Sequence, residues 1–189
     1  DRGDKTLDTI RSSEISEIFL FFDYDFQHSQ LSLVAIIRRV AEMLVLFNDE
    51  TGNGKLYINY PMIESIRYTK ELPDAEYVHY VISRDECRNF KFLAYQFSAY
   101  ESLDYILFQE DEKPVKEKYL KIKDNWEYLK EMNVCKANFL VTNQYAFPTE
   151  KSVVNQYAIF DSQKRIYVEP LECVSVLNSF PIFIYEYMK

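Results

Sequence analysis

Apolar residues run without interruption through positions 18–22 and lead directly into two aspartates, Asp23 and Asp25. A run that does not alternate with polar residues is typical of a strand that is buried on both faces of a sheet. The pattern therefore predicts a central β-strand at 17–23. The residues at 5–14 predict a short helix before it.

The segment after the aspartates has the periodicity of an amphipathic helix. Its apolar positions are separated by four, three, four and three residues, and they are Leu33, Ile37, Val40, Leu44 and Phe47. Ser29 is the expected N-cap, because a serine side chain can accept a hydrogen bond from the first helical turn. Two glycines in the sequence DETGNG, at 49–54, then predict a turn.

Residues 55–68, with the sequence KLYINYPMIESIRY, begin with the pattern of a strand and continue with that of a helix. Pro61 suits the first turn of this helix, which carries Glu64. Two strand-helix pairs in succession predict a parallel sheet with helical crossovers. Residues 76–83 predict a further strand, with a helix as the alternative.

From Asp85 onward the pattern is mainly helical. Helices are predicted in four segments, at 86–108, 114–134, 148–166 and 171–188, and Pro181 is expected to bend or restart the last one. The apolar stripe of the second segment consists of Tyr119, Ile122, Trp126 and Leu129. The chain is therefore predicted to have an α/β core at residues 1–84 and a helical extension at 85–189.

The composition narrows the class of protein. A net charge of −8 argues against a free-standing binder of duplex nucleic acid, because such proteins need clustered Lys and Arg. With 16 tyrosines and 14 phenylalanines, part of the aromatic surface is expected to meet a partner. The three scattered cysteines indicate neither a disulfide framework nor a zinc site. A reducing cytoplasm fits these cysteines best. No apolar run reaches the roughly 20 residues of a membrane span.

Asp23 and Asp25 are the first candidates for chemistry. Alternate residues of a strand share a face, so the two side chains would project together from the carboxyl end, with Cα atoms roughly 6 to 7 Å apart. Two carboxylates at that distance repel each other unless a proton, a hydrogen bond or a cation intervenes. Hard oxygen ligands suit Mg²⁺ or Mn²⁺. The alternative is that both acids mark a solvated strand end and cap the following helix.

Three families place a DxD motif after an apolar strand. Haloacid dehalogenase-like phosphatases have Thr or Val two residues after the second Asp, where this chain has Gln27, and no later Gly-Asp motif follows here. Nucleotide-sugar glycosyltransferases also use DxD, but this chain is short for one and has no obvious nucleotide site. The third family is the Toprim domain of primases, topoisomerases and OLD-type nucleases.

The chain resembles a Toprim domain over roughly residues 5–70. The resemblance rests on two stretches, which are DYD at 23–25 after the apolar strand and FNDETGNGKLYINYPMIESI at 47–66. The second stretch is similar to small Toprim-like proteins encoded beside ATPases in bacterial antiphage systems, the group of abortive-infection and PARIS-type effectors. The resemblance implies a Toprim-like parallel sheet in which Asp23 and Asp25 hold Mg²⁺ for phosphoryl transfer.

One part of the Toprim pattern is missing. Toprim domains carry a glutamate at the end of their first strand, a few dozen residues before DxD, whereas only 22 residues precede Asp23 here. Either the first β-α-β segment is absent from this chain or the site is degenerate. Glu64, near the end of the next strand, could add a carboxylate at the same edge, or it could be an acid in a first helical turn. His28 could relay a proton or touch a metal.

The resemblance implies a metal-dependent nuclease effector of an antiphage system, controlled by a partner ATPase because free nuclease activity is toxic. Its substrate would be DNA, tRNA or another RNA. Assembly into a homo-oligomer is compatible with this prediction. The first alternative is a non-catalytic Toprim-like docking subunit of such a complex. A phosphohydrolase of small substrates is the second alternative, and a closed pocket would favour it.

Overall fold

The structure is a computed structural model, and it describes residues 15–27, 30–48, 52–98 and 116–188. Within these ranges the protein is mixed α/β, with two small two-stranded sheets and a larger number of helices. The predicted α/β class is confirmed at this level. A specifically Toprim arrangement stays a prediction.

The strands are β1 Phe19–Asp23, β2 Lys55–Asn59, β3 Val81–Ser83 and β4 Cys173–Ser175. The α-helices are α1 Leu33–Leu46, α2 Arg84–Cys87, α3 Phe90–Phe97, α4 Lys116–Thr142, α5 Gln156–Gln163, α6 Glu169–Leu171 and α7 Ser179–Tyr187. Short 3₁₀ helices lie at Ile63–Arg67, Tyr77–His79 and Lys151–Val154, and a π-helical turn at Lys164–Val168 joins α5 to α6.

The first sheet is parallel, as the strand-helix-strand pattern predicts. Phe19 of β1 lies opposite Lys55 of β2, and Asp23 lies opposite Asn59. The connection between the two strands runs through α1, which returns the chain to the start of the sheet. Both strands therefore end at the same edge.

The prediction of a central strand at 17–23 is wrong for the described residues. In this part of the chain β1 pairs with β2 alone, and Phe21 and Phe22 are 38% and 43% exposed. The rings of Phe19 and Phe21 instead contact Phe183 of α7. Within the described residues, packing of these rings on α7 accounts for the apolar character of the run, and a strand pairs with it on one side.

Helix α1 carries the predicted apolar stripe. Leu44 is buried, and the other stripe residues pack half-buried against the hydrophobic core. The N-cap is Ser32, whose Oγ accepts a hydrogen bond from the backbone N–H of Ala35 at 3.2 Å. The predicted cap, Ser29, lies outside the described residues, and the helix begins four residues after it.

Several predicted boundaries change because of contacts that are distant in sequence. Of the strand predicted at 76–83, only the last three residues form a strand, and they pair antiparallel with β4. Strand β4 lies inside the segment predicted as helix at 171–188. Pro61 lies before the 3₁₀ helix that begins at Ile63, and not within its first turn. The predicted helix at 86–108 is interrupted between α2 and α3, and its part after Ser98 lies outside the described residues.

One hydrophobic core includes residues on both sides of the predicted boundary at 84 and 85. Tyr24, Phe26 and Leu56 from the first part pack in the same cluster as Val134 and Ile182 from the second. The division into two domains itself stays a prediction. No helix within the described ranges is both long and apolar enough to cross a membrane.

Candidate functional site

The carboxyl ends of β1 and β2 bring three polar side chains to one edge of the parallel sheet. Asn59 Nδ2 donates a hydrogen bond to Asp23 Oδ1 at 3.3 Å, and the two residues are register partners. Asn59 Oδ1 accepts hydrogen bonds from the backbone N–H and the Oγ of Ser179, at 3.0 and 2.8 Å. Ligands bind preferentially at such strand ends in open parallel sheets.

Asp23 is exposed, yet its environment disfavours the ionised form. Partial loss of hydration raises the pKa of its carboxyl group above the usual 3.8. Hydrogen bonds from the Asn59 side chain and the Ile63 backbone N–H act in the opposite direction, while the negative charges of Glu64 and Asp25 add to the increase. The net effect is a carboxylate that a bound cation would stabilise.

Asp25 lies outside the strand. Strand β1 ends at Asp23, the intervening Tyr24 is buried, and the backbone of Asp25 is left-handed with φ of 49°. The prediction that Asp25 shares a strand face with Asp23 is therefore wrong. The exposed Asp25 carboxylate nevertheless lies near enough for its charge to raise the pKa of Asp23, and its Oδ1 accepts a hydrogen bond from Gln27 Nε2 at 3.0 Å.

The two aspartates border the same cavity, which has a volume of about 300 Å³ and lies between β1 and α1. Arg39 of α1 contributes to its wall, and the remaining wall is mostly apolar. Within the described residues neither Asp23 nor Asp25 forms an ion pair. Among these residues the pair of acids therefore has no cationic partner that would assign it a purely structural role.

Glu64 is the second residue of the 3₁₀ helix that follows β2. Because the preceding residue, Ile63, donates its backbone N–H to Asp23, this helix begins at the strand end where Asp23 lies. Lys91 Nζ lies 3.6 Å from Glu64 Oε1. The structure thus brings Asp23, Asp25 and Glu64 to one edge, whereas His28, the fourth predicted site residue, lies outside the described residues.

A divalent cation fits these residues only as a loosely held ion. No group of three or more His, Cys, Asp or Glu side chains within the described ranges is arranged to hold a metal. Two carboxylates are nevertheless a common protein contribution to Mg²⁺, which keeps several waters and takes further oxygens from substrate phosphates. Asp23 and Asp25 are the residues that would hold the ion.

Asn59 and Ser179 support the site but were not predicted from the sequence. Asn59 is almost fully buried and connects Asp23 to the first residue of α7. The sequence does contain a sign of its position, since a polar residue ends the apolar part of β2 just as Asp23 ends β1. No pattern in the sequence indicates the role of Ser179, because 120 residues separate it from Asn59.

The sequence matches no protein-family model, and no curated protein or solved structure was found to be similar to it. The Toprim resemblance therefore rests on the residues of the chain alone. What it implies about activity and partners stays a prediction.

Proposed function

We propose that this protein cleaves phosphodiester bonds in nucleic acid with a divalent cation held by Asp23 and Asp25. The observation that carries the proposal is the edge where both acids lie without a cationic partner among the described residues, close to Glu64. Mutually repelling carboxylates at the carboxyl end of a parallel sheet suit a hard cation.

Each residue has a separate task in this proposal. Asp23 and Asp25 supply oxygen ligands, and Asn59 holds the Asp23 side chain in place through its amide. A bound Mg²⁺ or Mn²⁺ would polarise a phosphate and lower the pKa of a coordinated water. Glu64 adds negative charge beside Asp23 and is itself held near Lys91, which can approach a phosphate.

The role in antiphage defence and the control by a partner ATPase belong to the same proposal but rest on the Toprim resemblance alone.

The test is a cleavage assay with Mn²⁺ or Mg²⁺ on single-stranded and duplex DNA and RNA. Asp23→Asn and Asp25→Asn should each lower the rate at least tenfold, since each removes a charged metal ligand. Asp161→Asn is the matched control, because this aspartate lies on α5 in an exposed ion pair with Lys164. Equal rates in all three variants and wild type would refute the proposal.

Two further substrates separate the proposal from the small-substrate phosphohydrolase. Bis(p-nitrophenyl) phosphate is a diester, and p-nitrophenyl phosphate is a monoester. The proposal expects hydrolysis of the diester to depend on Asp23 and Asp25. Hydrolysis of the monoester alone would instead favour a phosphatase, which the small cavity of about 300 Å³ beside these acids could accommodate.

A docking role is the second candidate function, and the exposed edge strand favours it. Strand β1 has one neighbour among the described residues, and Phe21 and Phe22 remain partly exposed on it. Edge strands with exposed apolar side chains pair readily with other chains. Sedimentation of wild type and Phe22→Lys tests this role, since a docking edge predicts that the charged variant loses any self-association or partner binding.

A further inference from the structure

A groove with a volume of about 790 Å³ lies between the 3₁₀ helix at 63–67 and α3. It begins beside Glu64 and continues along α3 past Lys91 and Phe92 to Tyr95. Because Glu64 also lies beside Asp23, the groove leads to the edge that carries the proposed chemistry.

The groove combines positive charge with exposed aromatic rings. Arg67, Arg88 and Lys91 contribute three cationic side chains to its wall. Phe92 is 60% exposed and Tyr95 is 63% exposed, which is unusual for rings of this size. Arg88 lies 3.7 Å from Asp85 and Lys91 lies 3.6 Å from Glu64, but the two cationic side chains are 64% and 83% exposed, so both ion pairs are weak and open to exchange with a phosphate.

The spacing of these residues places a positive charge and an aromatic ring on the same side of α3. Lys91 and Tyr95 are four residues apart on α3, so they lie on the same side of the helix. Phe92 follows Lys91 directly and is three residues before Tyr95. The side chain of Lys91 is 83% exposed even though its amino group approaches Glu64. It can therefore turn toward a ligand without leaving a buried site.

We infer that this groove binds single-stranded nucleic acid, with bases stacked on Phe92 and Tyr95 and phosphates near Arg88 and Lys91. Stacking on exposed rings beside cations is the common mode of single-strand binding, and it needs bases that are free of a duplex. A duplex would need a much broader basic surface than three side chains on an acidic protein provide. The inference deepens the proposed function, on which it rests, by naming its substrate class.

The test measures binding without cleavage. Fluorescence anisotropy with labelled dT12 and rU12 in EDTA reports the affinity of the full chain, and a 12-base-pair duplex is the comparison. Phe92→Ala should weaken single-strand binding about fivefold or more. Tyr157→Ala is the matched control, because Tyr157 on α5 is 58% exposed and lies outside the groove.

A second pair of variants tests the charge. Lys91→Gln should reduce the dependence of log K on log salt by roughly 0.7, the amount expected for one lost contact with a single-stranded phosphate. Lys123→Gln on α4 changes the net charge equally and should leave that dependence as in wild type. Binding of either dT12 or rU12 supports the inference, and the ratio of their affinities identifies the preferred sugar.

The inference fails if Phe92→Ala and Tyr157→Ala bind alike, if the duplex binds as tightly as the single strands, or if nothing binds. Its failure can be distinguished from failure of the proposed catalysis. The double variant Asp23→Asn/Asp25→Asn should still bind single strands. If wild type binds single strands but never cleaves them, the inferred binding groove is supported and the proposed catalysis is refuted. If wild type cleaves nucleic acid and Phe92→Ala binds and cleaves as wild type does, the inferred binding groove is refuted and the proposed catalysis is supported.

Discussion

The side-chain amide of Asn59 donates a hydrogen bond to the carboxylate of Asp23, with 3.3 Å between Nδ2 and Oδ1, and joins the ends of two parallel strands. The carbonyl oxygen of the same amide accepts two hydrogen bonds from Ser179. The candidate site is thus anchored to the N-terminus of α7. Changes at Asn59 should affect both the stability of the fold and the position of Asp23.

Asn59→Ala should lower the free energy of unfolding by about 2 to 3 kcal/mol, because the buried Ser179 loses its acceptor. Asn53→Ala is the matched control, since Asn53 is exposed and donates one hydrogen bond, to Leu46 O at 3.3 Å. Its effect should stay within about 0.5 kcal/mol. Urea denaturation of both variants measures the difference. Equal effects would show that the Asn59 network contributes little.

Divalent cations should stabilise the protein through Asp23 and Asp25. At ten times the dissociation constant, a ligand that binds only the folded state adds roughly 1.4 kcal/mol, or about 3 to 6 °C in Tm for a chain of this size. Thermal unfolding with Mg²⁺ or Mn²⁺ should therefore show this increase in wild type and not in Asp23→Asn/Asp25→Asn. An equal increase in the double variant would place the ion elsewhere.

Gly54→Ala should be strongly destabilising, because Gly54 has φ of +100° and a Cβ there would lie 2.6 Å from Ile18 O. We expect a loss of about 2 kcal/mol or more, from backbone strain together with displacement of β1. Gly52→Ala provides the control. Its φ is +71°, but no atom lies within 4 Å of an added Cβ, so only the backbone cost of roughly 1 kcal/mol remains. Chemical denaturation that ranks Gly52→Ala as equally destabilising would contradict the packing argument.

Asp74 should make stability depend on pH in the acid range. Burial opposes its ionisation, but the backbone N–H groups of Lys70 and Glu76 and the hydroxyls of Tyr80 and Thr69 donate to its carboxylate and outweigh that effect. The pKa of Asp74 is therefore lowered below 3.8. Its contribution is fully present above pH 3.8 and is lost as the pH falls through the lowered value.

Asp74→Asn tests this dependence. At pH 7 the variant should lose about 2 kcal/mol of unfolding free energy, since donors that faced a carboxylate lose a charged acceptor. The difference from wild type should shrink below pH 3.8. Asp124→Asn, at an exposed position of α4, should leave the pH profile unchanged. A constant difference between wild type and Asp74→Asn across the acid range would overturn the interpretation.

Local patterns were sufficient for β1, α1 and β2, and for the position of Asp23 at a strand end, whereas Asp25 lies beyond the strand with a left-handed backbone. The spacing of Leu33 to Phe47 specifies a helical face, and the glycines after α1 allow the return to β2. Given two strands joined by a helix, parallel pairing follows from the handedness and length of the crossover. Of the stripe predicted on α4, Ile122 and Leu129 are buried and Trp126 is half-buried, while the side chain of Tyr119 lies outside the described residues.

Pairing and packing between distant residues were beyond the reach of those patterns. The short β4 is a strand because it meets β3, which lies about 90 positions earlier in the chain, and its own composition gives little sign of this. The exposure of Phe22 and the hydrogen bonds that Ser179 donates to Asn59 depend on which helices pack beside these residues. The groove beside Lys91 and Phe92 exists only because α3 packs against the 3₁₀ helix that carries Glu64. Periodicity records which way a residue faces along its own element, whereas a site requires the relative placement of several elements, and that is decided when the core forms.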